Sequence, residues 1–181
     1  TVVDTTPPDL ICANDRVIEC GIPWEFRPPV AIDLCDGDLV PEVLTTLTNI
    51  LCGNSLAATR IWTVTDACGN TAECIQTIMV VDTLPPILTG VPGNLTVACL
   101  ADVPPPGNVT GTDFCGDVTI TVESTTNGIC PSFVVRCYTG TDECGNSVTA
   151  CQTITVNPLP PVLLAAPQDV EVCVGDGASF C

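Results

Sequence analysis

The chain has 181 residues, of which 14 are Cys and 21 are Asp or Glu; its four basic residues are all Arg, it has no His, and its formal net charge is −17. That charge excludes nucleic acid and anionic membrane as partners and points to cations or basic surfaces. Without His or Lys there is no imidazole base for a Ser or Cys nucleophile, no His-containing zinc site, no Schiff-base chemistry and no phosphate-loop lysine, so the chain does not read as an enzyme.

In chain order, Asp4-Thr-Thr leads into Pro7–Pro8, and Cys12 and the Cys-ended run Ile18-Glu-Cys20 follow. Then come Trp24, a turn sequence Asp33-Leu-Cys-Asp-Gly37, and Cys52. A strand-like run spans Thr59 to Thr65, followed by the turn Thr65-Asp-Ala-Cys-Gly-Asn70 and a second run from Thr71 to Val81. The order then recurs. Asp82-Thr-Leu leads into Pro85–Pro86, Asp113-Phe-Cys-Gly-Asp117 answers the first turn, and Val118 to Val122 is strand-like. Thr141-Asp-Glu-Cys-Gly-Asn146 answers the second turn at an offset of 76, and Gln152 to Val156 closes the run. Asn157-Pro-Leu and Pro160–Pro161 open a third round. Four ordered matches define repeats at 1–81 and 82–156, with 157–181 as the start of a third, incomplete one.

Thr, Val and Ile alternate in short runs punctuated by Pro and Gly, which predicts strands, and no window carries a capped helical period. The fold class is all-β: tandem immunoglobulin/fibronectin-III-like sandwich repeats, rich in disulfides, of about seven strands each. Trp62 and Tyr138 hold equivalent places and read as core; Trp24 has no counterpart and reads equally as core or exposed. A core of this size with 4% aromatics needs staples. The Cys content and the lack of any Cys-x-x-Cys pair favour disulfides over zinc and an extracellular or cell-surface location. The longest apolar stretches, such as Ile75 to Val81, are too short for membrane insertion.

Aligning the repeats separates shared from private cysteines. Cys20, Cys35, Cys52 and Cys68 correspond to Cys99, Cys115, Cys130 and Cys144, and Cys173 shares the Cys20 position. Cys12 and Cys74 are private to the first repeat, Cys137 and Cys151 to the second, which pairs Cys12–Cys74 and Cys137–Cys151. The latter two replace Ile61 and Ile75, which lie opposite one another if the strands around the Cys-Gly-Asn turn form a hairpin. For the shared four, three connectivities are open from the residues alone. Cys173 and Cys181 stay unassigned, pairing together or with a neighbouring chain.

The series Val-Asp-Thr-x-Pro-Pro, Ile18-Glu-Cys20, Asp-x-Cys-x-Gly and Thr-Asp-x-Cys-Gly-Asn resembles hyalin-repeat (HYR-like) domains, in particular the cysteine-rich tandem form of bacterial extracellular adhesins and surface-fibre proteins. The resemblance implies an immunoglobulin-like sandwich, roles in adhesion and extracellular architecture, and no catalysis. The sandwich topology it implies places Cys35 with Cys68 and Cys20 with Cys52, and likewise Cys115 with Cys144 and Cys99 with Cys130. The same topology gathers acidic residues at one end of each repeat: Asp4, Asp33, Asp36, Asp38 and Asp66 in the first, Asp82, Asp113, Asp117 and Asp142 in the second. Hard oxygen ligands in loops suit Ca²⁺; the alternative is that they are turn-formers whose charge maintains solubility.

The function expected is a non-enzymatic extracellular structural protein, part of a filament, stalk or tandem array built by self-association. If the chain is a whole subunit, its tail from Val162 to Cys181 would dock on another subunit by strand addition. The alternative is an adhesin module that binds a glycan or host protein through exposed loops, with Trp24, Arg16 and Arg27 as the unusual surface residues. Asn94 and Asn108 lie in glycosylation sequons.

Overall fold

In the computed structural model of the chain, the residues described are 3–128 and 132–157. The third repeat, with Cys173 and Cys181, and the shared cysteine Cys130 therefore lie outside the described residues. Chain packing divides the protein into two compact units. The first comprises Thr1–Leu84 with Phe114–Asp117 and Asp142–Asn146; the second comprises Pro85–Asp113, Val118–Thr141 and Ser147–Cys181. The two turn segments of the second sequence repeat thus belong to the first compact unit.

The first unit holds β1 (Asp9–Ile11), β2 (Arg16–Glu19), β3 (Val30–Asp33), β4 (Gly37–Leu39), β5 (Glu42–Ile50), β6 (Leu56–Thr65) and β7 (Thr71–Val81). They form two sheets, β1-β3-β4 and β2-β7-β6-β5. β6 and β7 make a long antiparallel hairpin in which Ile61 faces Ile75, while β2 joins β7 in parallel. Period-two burial follows from the pleat: Ala58, Trp62 and Val64 on β6 and Gln76, Ile78 and Val80 on β7 are buried. Ile18, Ile78 and Val80 form a core cluster, against which Cys20, Trp24, Phe26 and Leu56 pack. Trp24 therefore sides with the core: it is half-buried, edge-on to Phe26 with ring centroids 5.7 Å apart, and the Arg60 guanidinium stands 4.2 Å over the Phe26 ring. That stacking places a cation on an aromatic face.

In the second unit lie β8 (Ile87–Thr89), β9 (Leu95–Val97), β10 (Thr110–Thr112), β11 (Val118–Asn127), β12 (Ser132–Asp142) and β13 (Ser147–Val156), with one 3₁₀ turn at Leu100–Asp102. The sheets are β10-β8 and β11-β12-β13-β9, with β9 parallel to β13 as β2 is to β7. Val134, Arg136 and Tyr138 on β12 and Gln152, Ile154 and Val156 on β13 are buried. Arg136 holds the place of Arg60, and Pro104 and Pro106 stand where the first repeat has Trp24 and Phe26. Its guanidinium instead gives two hydrogen bonds of 3.2 Å to the Pro104 carbonyl. The fold is all-β and disulfide-rich, with small sheets consistent with tandem immunoglobulin/fibronectin-III-like sandwiches. Among the described residues no helix is long and apolar enough to cross a membrane.

Candidate functional site: the cysteine turns

The repeated hexapeptide is a hydrogen-bonded device. In the β6–β7 turn one carboxylate oxygen of Asp66 accepts the N–H groups of Cys68 (2.9 Å) and Asn70 (2.8 Å), and the other accepts the Asn70 side-chain amide (2.7 Å). Asn70 also donates to the Asp4 carbonyl, so the turn grips the preceding proline linker. Asp142 accepts in the same way from Cys144 and Asn146, and Asn146 reaches the Asp82 carbonyl. Gly69 and Gly145 sit at φ +90° and +92°, a conformation that explains why Gly follows Cys in both copies. Burial pushes both carboxyls up, but the hydrogen bonds from the Asn side chain and the turn N–H groups outweigh it and hold Asp66 and Asp142 below the usual carboxylate range.

The Asp33–Gly37 turn is built likewise. Asp33 accepts the N–H groups of Cys35 (2.7 Å) and Asp36 (3.0 Å), and Asp36 in turn accepts the N–H of Ala67 at 2.7 Å, tying the two turns together.

The cysteines correct part of the sequence reading. Cys12 is bonded to Cys74, with α-carbons 5.9 Å apart, joining the end of β1 to β7 across the two sheets. Cys137 is bonded to Cys151, directly opposite in the β12–β13 register. The pairs Cys20–Cys52 and Cys115–Cys144 are not formed. Cys20 is bonded to Cys115 and Cys52 to Cys144, over 95 and 92 residues. Cys35–Cys68 is not formed either: both thiols are free and exposed. The reason is packing. Each repeat was expected to close on itself, whereas the Phe114–Asp117 and Asp142–Asn146 segments pack into the first unit. The Asn54 N–H donates to the Cys115 carbonyl at 2.6 Å, and the buried Ser55 hydroxyl lies 3.2 Å from the Cys52 sulfur and 3.7 Å from that of Cys144. Cys99 is disulfide-bonded; its expected partner, Cys130, lies outside the described residues.

The acidic residues sort into two kinds. In the first unit, ligand atoms of Asp4, Asp33 and Cys35 lie within 4.8 Å of one another. Among the described residues, the other acidic residues of the first repeat's cluster, Asp36, Asp38 and Asp66, do not join that group. A hydrogen bond to Asp4 is the main cause that pushes the Cys35 thiol above its ordinary value of 9.0, with the charges of Asp4, Asp33 and Asp36 adding to it. Of the sequon residues, Asn94 and Asn108 are both exposed, and the Asn94 side-chain oxygen accepts the Thr153 N–H at 2.7 Å. Asp15 does the same for Thr77 in the first repeat at 2.6 Å. The Arg60–Phe26 stack was not visible in the sequence, since nothing in the spacing connects the two residues.

No protein-family model matches the chain, and no curated protein matches it. Among solved structures, it is similar to the CBM51-2 and INT domains of Clostridium perfringens ZmpB in complex with GlcNAc, at 14% identity and a TM-score of 0.34 over 83% of this chain and 41% of that one. It is similar to the protocadherin gammaB7 EC3-6 cis-dimer at 12% identity and TM-score 0.37, over 85% and 48%. The human desmocollin-1 ectodomain gives 12% and 0.34, over 86% and 42%. The chain thus spans less than half the length of each.

Proposed function

We propose that the chain is a non-enzymatic extracellular structural repeat of the HYR-like kind, a stretch of a surface fibre or stalk that self-associates or runs in series. The observation that supports this best is the pair of disulfides Cys20–Cys115 and Cys52–Cys144, which join one sequence repeat to the next. Covalent links of that span limit how far a pulled chain can extend, and they belong in an oxidising exterior. Single-molecule stretching tests it. In non-reducing buffer the chain should yield only short extensions, and reductant should release the remainder; equal extension in both buffers would sink the mechanical reading. An adhesin binding a glycan through loops is the second reading, favoured by the exposed Arg27 beside the Trp24–Phe26 edge; a glycan-array signal from monomeric protein would select it.

Calcium belongs to the same reading. Loop carboxylates such as Asp4 and Asp33 suit a hard cation, whereas the Cys35 thiol beside them is a poor ligand for calcium. A melting curve unchanged by chelator would remove the ion from the account.

A further inference from the structure

β5 is the long open edge of the first unit. It ends the β2-β7-β6-β5 sheet, runs for nine residues, and among the described residues pairs only with β6. One row of its backbone N–H and C=O groups is therefore offered to a further strand. The edges β1, β2, β4, β8, β9 and β10 are three or four residues long, too short to offer much. Only β11, with ten residues, compares, and it carries a charge. The Arg136 guanidinium donates to the Ser124 hydroxyl as that of Arg60 does to Thr46, which aligns the two strands. Glu123 then stands at the place of Thr45, and Thr125 at that of Leu47. On β5 no such charge appears: the sequence has no Asp, Glu, Lys or Arg between Glu42 and Arg60. A bulge at Leu44 leaves residues 45–50 in regular register with β6, and Leu47 and Ile50 on that stretch are 59% and 73% exposed.

We propose that a second copy of this chain adds to the sheet at this edge, β5 against β5, antiparallel and centred on Leu47. The register follows from the faces of the sheet. Leu47 faces Thr59, and Thr59 faces Thr77, in a row on the side away from the buried Ala58 and Trp62. If both copies keep their cores on one side of the joined sheet, each outward residue must meet another outward residue. Centred on Leu47, each Leu47 meets its equivalent, Thr46 meets Thr48 twice, and Thr45 meets Asn49 twice. The chain already joins its own strands by facing threonines: Thr59 with Thr77 at 3.2 Å, Thr89 with Thr110 and Thr139 with Thr149 at 2.8 Å. Charge favours the same place. Two copies at −17 repel one another, and an uncharged strand is where their backbones can come within hydrogen-bonding distance. The contact is isologous and closes at two copies, so it ties chains side by side and does not lengthen a fibre. It rests on the self-association of the proposed function and names the surface responsible; stretching of a single chain does not depend on it.

The test is sedimentation of the full chain across a concentration series at low and high salt, with hydrogen exchange of the β5 peptide followed alongside. A monomer–dimer equilibrium should appear and tighten with salt, which screens the repulsion, and the β5 amides should gain protection as concentration rises. L47K sets two like charges opposite one another and should raise the dissociation constant at least about tenfold. T45E, which gives β5 the charge of β11, should weaken the dimer in the same direction. Unchanged melting and an intact Cys12–Cys74 bond show that each variant is folded. Association undiminished in both folded variants, or β5 amides that exchange equally fast in monomer and dimer, would move self-association to another surface and overturn the β5 joint while the fibre reading stood. A chain monomeric at every concentration and salt would overturn the joint and self-association together.

Discussion

Gln76 and Gln152 hold the same buried position in successive repeats, yet only Gln76 has a partner for its carbonyl oxygen among the described residues. It accepts the Arg27 N–H at 3.1 Å, and its amide donates to the Asn14 carbonyl at 3.1 Å. In the second repeat Gly107 stands where Arg27 stands in the first, and its N–H goes at 2.9 Å to the Tyr138 hydroxyl, leaving Gln152 Oε1 with no partner. The cause is the exchange of Trp62 for Tyr138. A phenol oxygen accepts a hydrogen bond and an indole N–H cannot, and Trp62 Nε1 is itself unpartnered among the described residues.

The two glutamines should therefore differ in cost. Gln76→Leu removes two part-buried hydrogen bonds, from the Arg27 N–H and to the Asn14 carbonyl, each with a net worth of about 0.5–1.5 kcal/mol. Gln152→Leu strands only the Gly93 carbonyl and removes an unpaired oxygen. Denaturant titration should find the first variant the less stable; equal losses would refute the account.

The β6–β7 hairpin should accept a disulfide in the first repeat. Ile61 and Ile75 face each other in the register that Cys137 and Cys151 occupy in the second. I61C/I75C should oxidise spontaneously and raise stability by up to about 3 kcal/mol for a loop of this length. Melting with and without reductant measures it, and removing Cys137 and Cys151 together should lower stability by a similar amount.

Gly53 has φ +54° and the Cys115 carbonyl against its α-carbon. Gly53→Ala should cost about 1–3 kcal/mol from backbone strain, before any clash is counted. Peptide mapping should also show Cys52–Cys144 partly lost, because the segment that carries Cys115 can no longer approach.

Acid should loosen the Cys-Gly-Asn turns. The Asp66 and Asp142 carboxyls lie below their ordinary value of 3.8 in the folded protein, so the stability they contribute is present above that value and is lost as pH falls through the depressed one. Thermal melts of D66N/D142N should start lower than wild type at neutral pH and show a shallower decline on acidification. Parallel curves would rule out these carboxylates as the acid-sensitive groups.

Local features of this protein were legible in its sequence because they depend on neighbours in the chain. Alternation gave the strands, the repeated Thr-Asp-x-Cys-Gly-Asn marked a turn whose Asp, Gly and Asn each have a hydrogen-bonding or conformational task, and the replacement of Ile61 and Ile75 by Cys137 and Cys151 located a cross-strand bond. The private pair Cys12 and Cys74 could be matched because both ends appear in one repeat and vanish from the other. The shared cysteines were different. Four per repeat fit several connectivities, and nothing local states whether a repeat closes on itself. Only the tertiary structure decided that Cys115 and Cys144 go back to Cys20 and Cys52, because that choice depends on packing between segments more than 90 residues apart, where Gly53, Asn54 and Ser55 form the cradle. The cysteine count thus came from the sequence, and its division into closed bonds and two open thiols came from the fold.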